Sequence, residues 1–376
     1  MPQAPARLDH VARGSPTPTP FALVLEPAPA AARRIGGLPL GLRLALDAQA
    51  AGAGSIVVPE AASDLRALLG DARLRLPVLS EAPADVPRLR AAAGLLAHRA
   101  TLKELAQKLG PGAELTLTSA AGAPSVAYSF APLDVSSDEA AKQAERALFR
   151  SLRKPQDGWT SRHLNRYISL FLSRLLIKTP LRPNQVSVAI LGVGVLGAWQ
   201  AAQGTYGSLA LGAALFQAQS VLDGCDGEMS RVSHRGSRMG EWLDTIGDDL
   251  TNYGFFGGAG IGLYRATGLW LYLLAGCICV GCGVVSSGLE YRYLIKIGSG
   301  DLLKYPLSQA SSGGGKLAFL APLFKRDTFV LLTLLAALGG VLGPMLCVFS
   351  LAAIGILFSV LKTELRLARE GRAPAG

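Results

Sequence analysis

The sequence predicts a polytopic α-helical membrane protein with six transmembrane helices, both termini cytoplasmic, and a small soluble α/β domain at its N-terminal end. Three observations carry that expectation. Half of the 376 residues are hydrophobic and the mean hydropathy is positive. The apolar residues are unevenly spread: residues 1–150 are rich in Ala, Arg, Leu and Pro without a spanning run. From about residue 185 onward, runs of roughly twenty apolar residues recur, the length that ~30 Å of hydrocarbon demands. Basic residues then collect at alternate ends of those runs, as they do when charge sets topology.

Taken in order, residues 1–20 hold Pro2, Pro5, Pro16, Pro18 and Pro20 and lack the apolar centre of a secretory signal, so they read as a flexible tail. Over 21–150 short β-like runs alternate with Ala/Leu-rich helical ones. Phe21–Leu25 and Ser55–Val58 read as buried parallel strands, with Gly41–Ala51 as the helix between them. Residues 151–184 form a connector. Within it Leu164, Ile168, Phe171, Leu172, Leu175 and Leu176 keep helical spacing, while Arg162, Arg166, Arg174 and Lys178 fall elsewhere on the wheel. A basic amphipathic helix of this kind lies in the membrane interface, and Pro180 and Pro183 end it.

Six spans are expected near 185–204, 205–225, 239–263, 267–291, 327–342 and 344–362, within a membrane domain over 185–365, followed by a basic tail over 366–376. Arg162 to Arg182 precede the first span. Arg231, Arg235 and Arg238 separate the second and third; Arg292, Lys296, Lys304, Lys316, Lys325 and Arg326 separate the fourth and fifth; Lys362, Arg366, Arg369 and Arg372 follow the sixth. The opposite loops carry only Arg265. The positive-inside rule therefore puts both termini, and the loop after the second span, on the cytoplasmic side. A net charge of +10 is accounted for by topology and anionic lipid, with no nucleic acid required. Cys277, Cys279 and Cys282 sit among Gly, Val and Ile inside the fourth span and read as packing residues.

The most informative stretch runs from Asp223 to Asp248. It reads Asp223-Gly-Cys-Asp226-Gly227-Glu-Met-Ser230-Arg231, then Gly240, then Asp244 and Asp248. An Asp at the centre of a spanning helix costs roughly 2.5–3.5 kcal/mol, so four unpaired ones would cost about 10 kcal/mol. Divalent cations are the obvious compensation. Asp223 and Asp226 are i,i+3 and Asp244 and Asp248 are i,i+4, so each pair shares a helical face and two such faces would point four carboxylates into one pocket. Hard oxygen ligands suit Mg²⁺ or Mn²⁺. Gly227 and Gly240 remove side chains where a backbone or nucleotide must come close, and Arg231 supplies a fixed cation for phosphate. Glu228, Glu241 and Asp249 read as solvated or outer acids.

The pattern D-x2-D-G-x2-A-R-x8-G-x3-D-x3-D resembles the signature of the CDP-alcohol phosphotransferase family of integral membrane enzymes, with Ser230 in place of the Ala. The connector and its Pro183-Asn184 element are also similar to that family. The resemblance implies transfer of a substituted phosphoryl group from a CDP-alcohol donor to a polyol or polyol-phosphate acceptor, with release of CMP. It implies two divalent ions, Mg²⁺ or Mn²⁺, bound by Asp223, Asp226, Asp244 and Asp248, with Asp248 as catalytic base and Gly227, Ser230, Arg231 and Gly240 lining the CDP pocket. A homodimer in the inner or cell membrane, contacting membrane lipid and with its site facing the cytoplasm, is implied as well. The 21–150 domain resembles a sugar-phosphate nucleotidyltransferase that is degenerate. Its first loop, Glu26 to Arg34, has no glycine before Gly36, and its prolines remove N–H donors a phosphate cradle needs. The fusion resembles the bifunctional inositol-phosphate cytidylyltransferase and di-inositol-phosphate-phosphate synthase group, with CDP-inositol as donor and inositol phosphate as acceptor. Two other readings fit the residues: a phosphatidyltransferase using CDP-diacylglycerol for phospholipid synthesis, and, from another class, a divalent-cation transporter or inactive membrane scaffold.

Overall fold

A computed structural model of the chain describes residues 20–119, 130–153, 158–307 and 325–369. The expected flexible tail over 1–20, apart from Pro20, lies outside them, as do Lys316, Arg372 and residues 370–376 of the expected basic tail. The chain forms two compact units that divide between Arg146 and Ala147.

The first unit is a parallel sheet with helices. Strand β1 (Phe21–Glu26) is buried over all but its last residue, because its run of Ala, Leu and Val is flanked on both edges. The chain then makes a short 3₁₀ turn at Pro29–Ala32, a two-stranded ribbon of β2 (Arg34–Ile35) and β3 (Leu38–Pro39), and helix α1 (Leu40–Ala51). Gly52, at φ 99°, ends α1 in the left-handed conformation that glycine adopts without strain and feeds β4 (Ala53–Val57). After α2 (Ser63–Leu68) come β5 (Val78–Leu79), β6 (Arg88–Ala92), β7 (Leu95–Leu96), α3 (Arg99–Ala106), β8 (Glu114–Leu117) and β9 (Leu133–Asp134). The main sheet has the order β5-β4-β1-β6-β8 with every neighbouring pair parallel. The strand pair and helix expected at Phe21–Leu25, Ser55–Val58 and Gly41–Ala51 are present, with β1 and β4 adjacent.

The strand order reverses at β1, the place where open α/β sheets bind ligands beyond the carboxyl ends of their strands. Here the 3₁₀ turn closes on Gly94: a Cβ at residue 94 would lie 3.0 Å from Ala30 and 3.4 Å from Ala28. Arg33 pairs with Asp138 at 2.9 Å, and Arg34 reaches back to the carbonyl of Gly37. Arg43 is buried beneath the loop and donates to the carbonyls of Ile35 and Gly36, fixing the turn; burial pulls its guanidinium down to about 10.

Helix α4 (Asp138–Arg150) leads into the second unit, whose regular elements among the described residues are all helical. A turn of π-helix at Ser161–Asn165 runs into α5 (Arg166–Leu176). Then follow α6 (Pro183–Ala201), α7 (Tyr206–Ser233), α8 (Arg238–Thr267), α9 (Trp270–Lys296), α10 (Arg326–Leu338) and α11 (Leu342–Arg369). A helix stands at each of the six expected positions. Two of them, α9 and α11, are long and apolar enough to cross a membrane by length and composition. Of the remaining four, α7 and α8 carry the charged motif, and α10 has 13 residues against the roughly 20 a spanning helix needs.

Helix α6 packs against both α7 and α8, α8 against α9, and α9 against α11. Glycines set how closely. A Cβ at Gly212 of α7 would meet the Gly197 carbonyl oxygen of α6 at 2.7 Å, and one at Gly258 or Gly262 of α8 would meet the Ala198 or Ala201 carbonyl oxygen of α6 at 2.4 or 2.0 Å. The opposite glycines of α8, Gly257 and Gly260, face Val280 and Gly276 of α9. The glycine-rich stretch therefore serves helix packing within the chain. The outer faces expose large apolar side chains, among them Trp199, Trp270, Leu351 and Phe358.

Candidate active site

The site forms where the C-terminal end of α7 turns back into the N-terminal end of α8. His234 closes α7 at φ 51°, a left-handed position, and the backbone N–H of Arg235 bonds the Ser230 carbonyl at 3.1 Å. Ser237 caps α8 by accepting from the Gly240 N–H at 2.9 Å. The eight residues between Arg231 and Gly240 are thus a helix end, a tight turn and a capped helix start. A side chain at Gly240 would come within 3.1 Å of Asn184 Oδ1, so the α6 start and the α8 start are in close approach there.

This turn brings the two acidic faces together. Asp223 and Asp226 of α7 and Asp244 and Asp248 of α8 line one pocket, with Gly247, Leu243 and Gln219 beside them and Ser187, Ile190 and Leu191 of α6 as the third wall. Asp226 is the most buried of the four, at 6% exposure. It is held by the Ser187 hydroxyl on one oxygen and by the Gly227 N–H on the other. Asp223 and Asp248 are bridged by Arg326, the first residue of α10, whose Nη1 stands 3.5 Å from Asp223 Oδ2 and 2.8 Å from Asp248 Oδ1. The Arg326–Asp248 contact is an ion pair without hydrogen-bond alignment: Asp248 Oδ1 is buried and accepts no hydrogen bond from the described residues. Gly227, Ser230, Arg231 and Gly240 are not among the residues lining this pocket. Gly227, Ser230 and Arg231 follow Asp226 on α7, where a Cβ at Gly227 would lie 3.0 Å from Arg231 Nη1.

With the side chains as they lie, no three His, Cys, Asp or Glu groups among the described residues are arranged to hold one metal ion. The donor chemistry fits a hard divalent cation all the same. All four ligand candidates are carboxylates, they share one pocket, and one buried oxygen lacks a hydrogen bond.

Three of these features were not read from the sequence. Glu228, expected among solvated or outer acids, is fully buried. It accepts from Arg166 at 2.7 Å, Ser169 at 2.8 Å and Ser173 at 2.7 Å, all on α5, so one face of α5 grips α7. The i,i+3,i+7 spacing of Arg166, Ser169 and Ser173 was the available signal. Asp249 turns away from the pocket to accept from Ser287 and Tyr291 of α9. In the sequence Arg326 falls among the topology-setting charges, because its place before an apolar run does not distinguish a loop anchor from a partner of the acidic cluster.

The chain is similar in sequence to known proteins. Residues 181–361 match the CDP-alcohol phosphatidyltransferase family, a stretch that contains the whole pocket. The chain is 40% identical over 123 residues to a bifunctional IPC transferase and DIPP synthase of Thermococcus kodakarensis, covering 32% of this chain and 27% of that protein. It is 36% identical over 186 residues to the protein of the same name from Rubrobacter xylanophilus, covering 48% of this chain and 40% of that one. The chain thus spans less than half the length of these relatives. Among solved structures, phosphatidylinositol phosphate synthase of Mycobacterium tuberculosis with CDP-DAG bound aligns at TM-score 0.41 and 20% identity, over 52% of this chain and 93% of that one.

Proposed function

We propose that this chain, which carries a CDP-alcohol phosphatidyltransferase domain, transfers a substituted phosphoryl group from a CDP-alcohol to an acceptor hydroxyl and releases CMP. The observation that carries the reading is the convergence of Asp223, Asp226, Asp244 and Asp248 on one pocket walled by α6, α7 and α8. Asp223, Asp226, Asp244 and Asp248 would hold the divalent cations, two ions of Mg²⁺ or Mn²⁺. Bound there, they supply charge neutralisation for the diphosphate and the departing CMP.

The protein's own groups do the rest. Ser187 and the Gly227 N–H fix Asp226, so one carboxylate is preset in direction. Asp248, on the wall of the same pocket, would accept the acceptor's hydroxyl proton. Arg231, whose guanidinium lies against Gly227, would supply a cation for the nucleotide phosphates, with Ser230 and Gly240 at the two ends of the adjoining turn. The resemblance to the inositol-phosphate group favours CDP-inositol as donor and inositol phosphate as acceptor. Helices α6 to α11 would together form a six-helix membrane domain, with both termini and the pocket at the cytoplasmic face and the exposed apolar side chains in lipid. The parallel-sheet unit reads as a degenerate nucleotidyltransferase-like domain over 21–150: alanines pack on Gly94 at its switch point, and Arg33 is engaged by Asp138.

CMP release by the purified protein in detergent with Mg²⁺ or Mn²⁺ tests the reading. Release from CDP-inositol that requires inositol phosphate and disappears in Asp248→Asn supports a soluble-product synthase. Release only from CDP-diacylglycerol moves the protein to phospholipid synthesis. No release from either donor removes the proposed reaction and returns the transporter and scaffold readings.

A further inference from the structure

Arg326 is paired with two of the carboxylates that line the acidic pocket, and nothing so far assigns it a role there. Its root is fixed. Asp327, the next residue, accepts from the backbone N–H of Ser161 at 2.6 Å, and Thr328 meets Thr160 at 3.3 Å, so the start of α10 is tied to the connector. Its head is divided between two kinds of partner. Nη2 donates to Gln219 Oε1 at 2.6 Å, and Nε donates to Asn252 Oδ1 at 3.2 Å; both acceptors are neutral. Nη1 faces Asp248 and Asp223, both anionic. A guanidinium cannot give up its proton to leave a site, so it can only move.

That position conflicts with metal. A divalent ion ligated by Asp248 Oδ1 sits about 2.1 Å from that oxygen, which places it no farther than about 5 Å from Arg326 Nη1 where that atom now lies. The same pair of carboxylates is thus claimed by two cations. The neutral bonds to Gln219 and Asn252 give the side chain a second hold, on the edge of the pocket, once Nη1 lets go.

We infer that Arg326 is an internal counter-cation of the reaction site: it neutralises Asp223 and Asp248 while the pocket is metal-free, and it yields them when the divalent ion binds. Arg326 then remains at the pocket edge as a positive group beside the incoming phosphates. This rests on the metal-dependent reading proposed above, and deepens it by making metal binding an exchange of one cation for another.

The test measures Mn²⁺ binding by electron paramagnetic resonance of the purified full chain in detergent, without nucleotide, on the wild type, Arg326→Gln and Arg326→Lys. Thermal unfolding in EDTA and in saturating Mn²⁺ runs alongside. Removing the charge should tighten Mn²⁺ binding roughly tenfold, the factor for one positive charge about 5 Å from a dication at water-like screening. Arg326→Gln should also unfold at lower temperature than wild type in EDTA yet match it in Mn²⁺, while Arg326→Lys, which keeps the charge, should bind Mn²⁺ within about threefold of wild type. Unchanged or weaker Mn²⁺ binding by Arg326→Gln, or an equal loss of unfolding temperature with and without Mn²⁺, overturns the exchange and leaves Arg326 a plain structural brace. If the wild type itself binds no Mn²⁺, the metal-dependent reading fails, and the exchange fails with it.

Discussion

Replacing Glu228 by Gln removes one charge and little volume from the buried contact between α5 and α7. Glu228 is fully buried and faces Arg166, whose side chain is 10% exposed. The carboxylate accepts three hydrogen bonds, and an amide can accept only on its oxygen, so at least one of Ser169 and Ser173 loses its present acceptor. Arg166 loses its carboxylate. Breaking a buried pair from one side costs about 3–5 kcal/mol, because the other charge stays buried. At about 2–4 °C per kcal/mol for a unit of this size, the unfolding temperature should fall by roughly 6–20 °C. Thermal unfolding of Glu228→Gln, Arg166→Gln and the double variant in one detergent closes a double-mutant cycle. The double variant leaves no unpaired charge and should be markedly less destabilised than the sum of the singles. Additivity to within about 0.5 kcal/mol would refute the coupling, and with it the claim that α5 grips α7 through this carboxylate.

Gly262→Ala should lower the unfolding temperature by an amount corresponding to about 1–3 kcal/mol or more, since its Cβ would fall 2.0 Å from the Ala201 carbonyl oxygen of a neighbouring helix; Gly207→Ala, which meets nothing within 4 Å, is the matched control and should cost less than about 1 kcal/mol. Gly227→Ala should leave stability within about 1 kcal/mol, because the clash at 3.0 Å is with the movable end of Arg231, and should raise KM for the CDP-alcohol several-fold with a smaller change in kcat, read from CMP release. Ser187→Ala takes the hydroxyl from buried Asp226 and should destabilise by about 1–3 kcal/mol in EDTA, with the deficit narrowing in Mg²⁺ if the ion takes over that oxygen; an equal deficit in both would argue against Asp226 as a ligand.

Legibility in the sequence followed the range of the interactions concerned. Helix positions came from runs of apolar residues, and the meeting of Asp223, Asp226, Asp244 and Asp248 came from local spacing plus one turn, so both were visible. The β1–α1–β4 arrangement was visible for the same reason, a buried strand, a helix and a buried strand in succession. What escaped depends on partners far along the chain. Glu228 looks solvent-facing until Arg166, 62 residues earlier, is placed against it. Arg326 looks like a topology anchor until α10 carries it back to Asp248 and Asp223. Hydropathy also gave α10 more apolar length than its 13 helical residues provide, since Gly339 and Gly340 interrupt the run before α11 begins.

The glycine contacts and the acidic pocket occupy opposite ends of the same three helices. Gly258 and Gly262 each lie 14 residues beyond Asp244 and Asp248 on α8, about 21 Å at 1.5 Å per residue. The helices are therefore shaped like a clothes-peg, its spring a seam in which backbone touches backbone and its jaws the carboxylates. At such a seam any side chain larger than hydrogen would collide with a carbonyl and push the helices apart. A splay of only about 3° there would displace the jaws by about 1 Å, enough to change a rate a hundredfold when reacting groups must be held in register. Substitutions far from the pocket, on the seam, should thus weigh on catalysis as leverage.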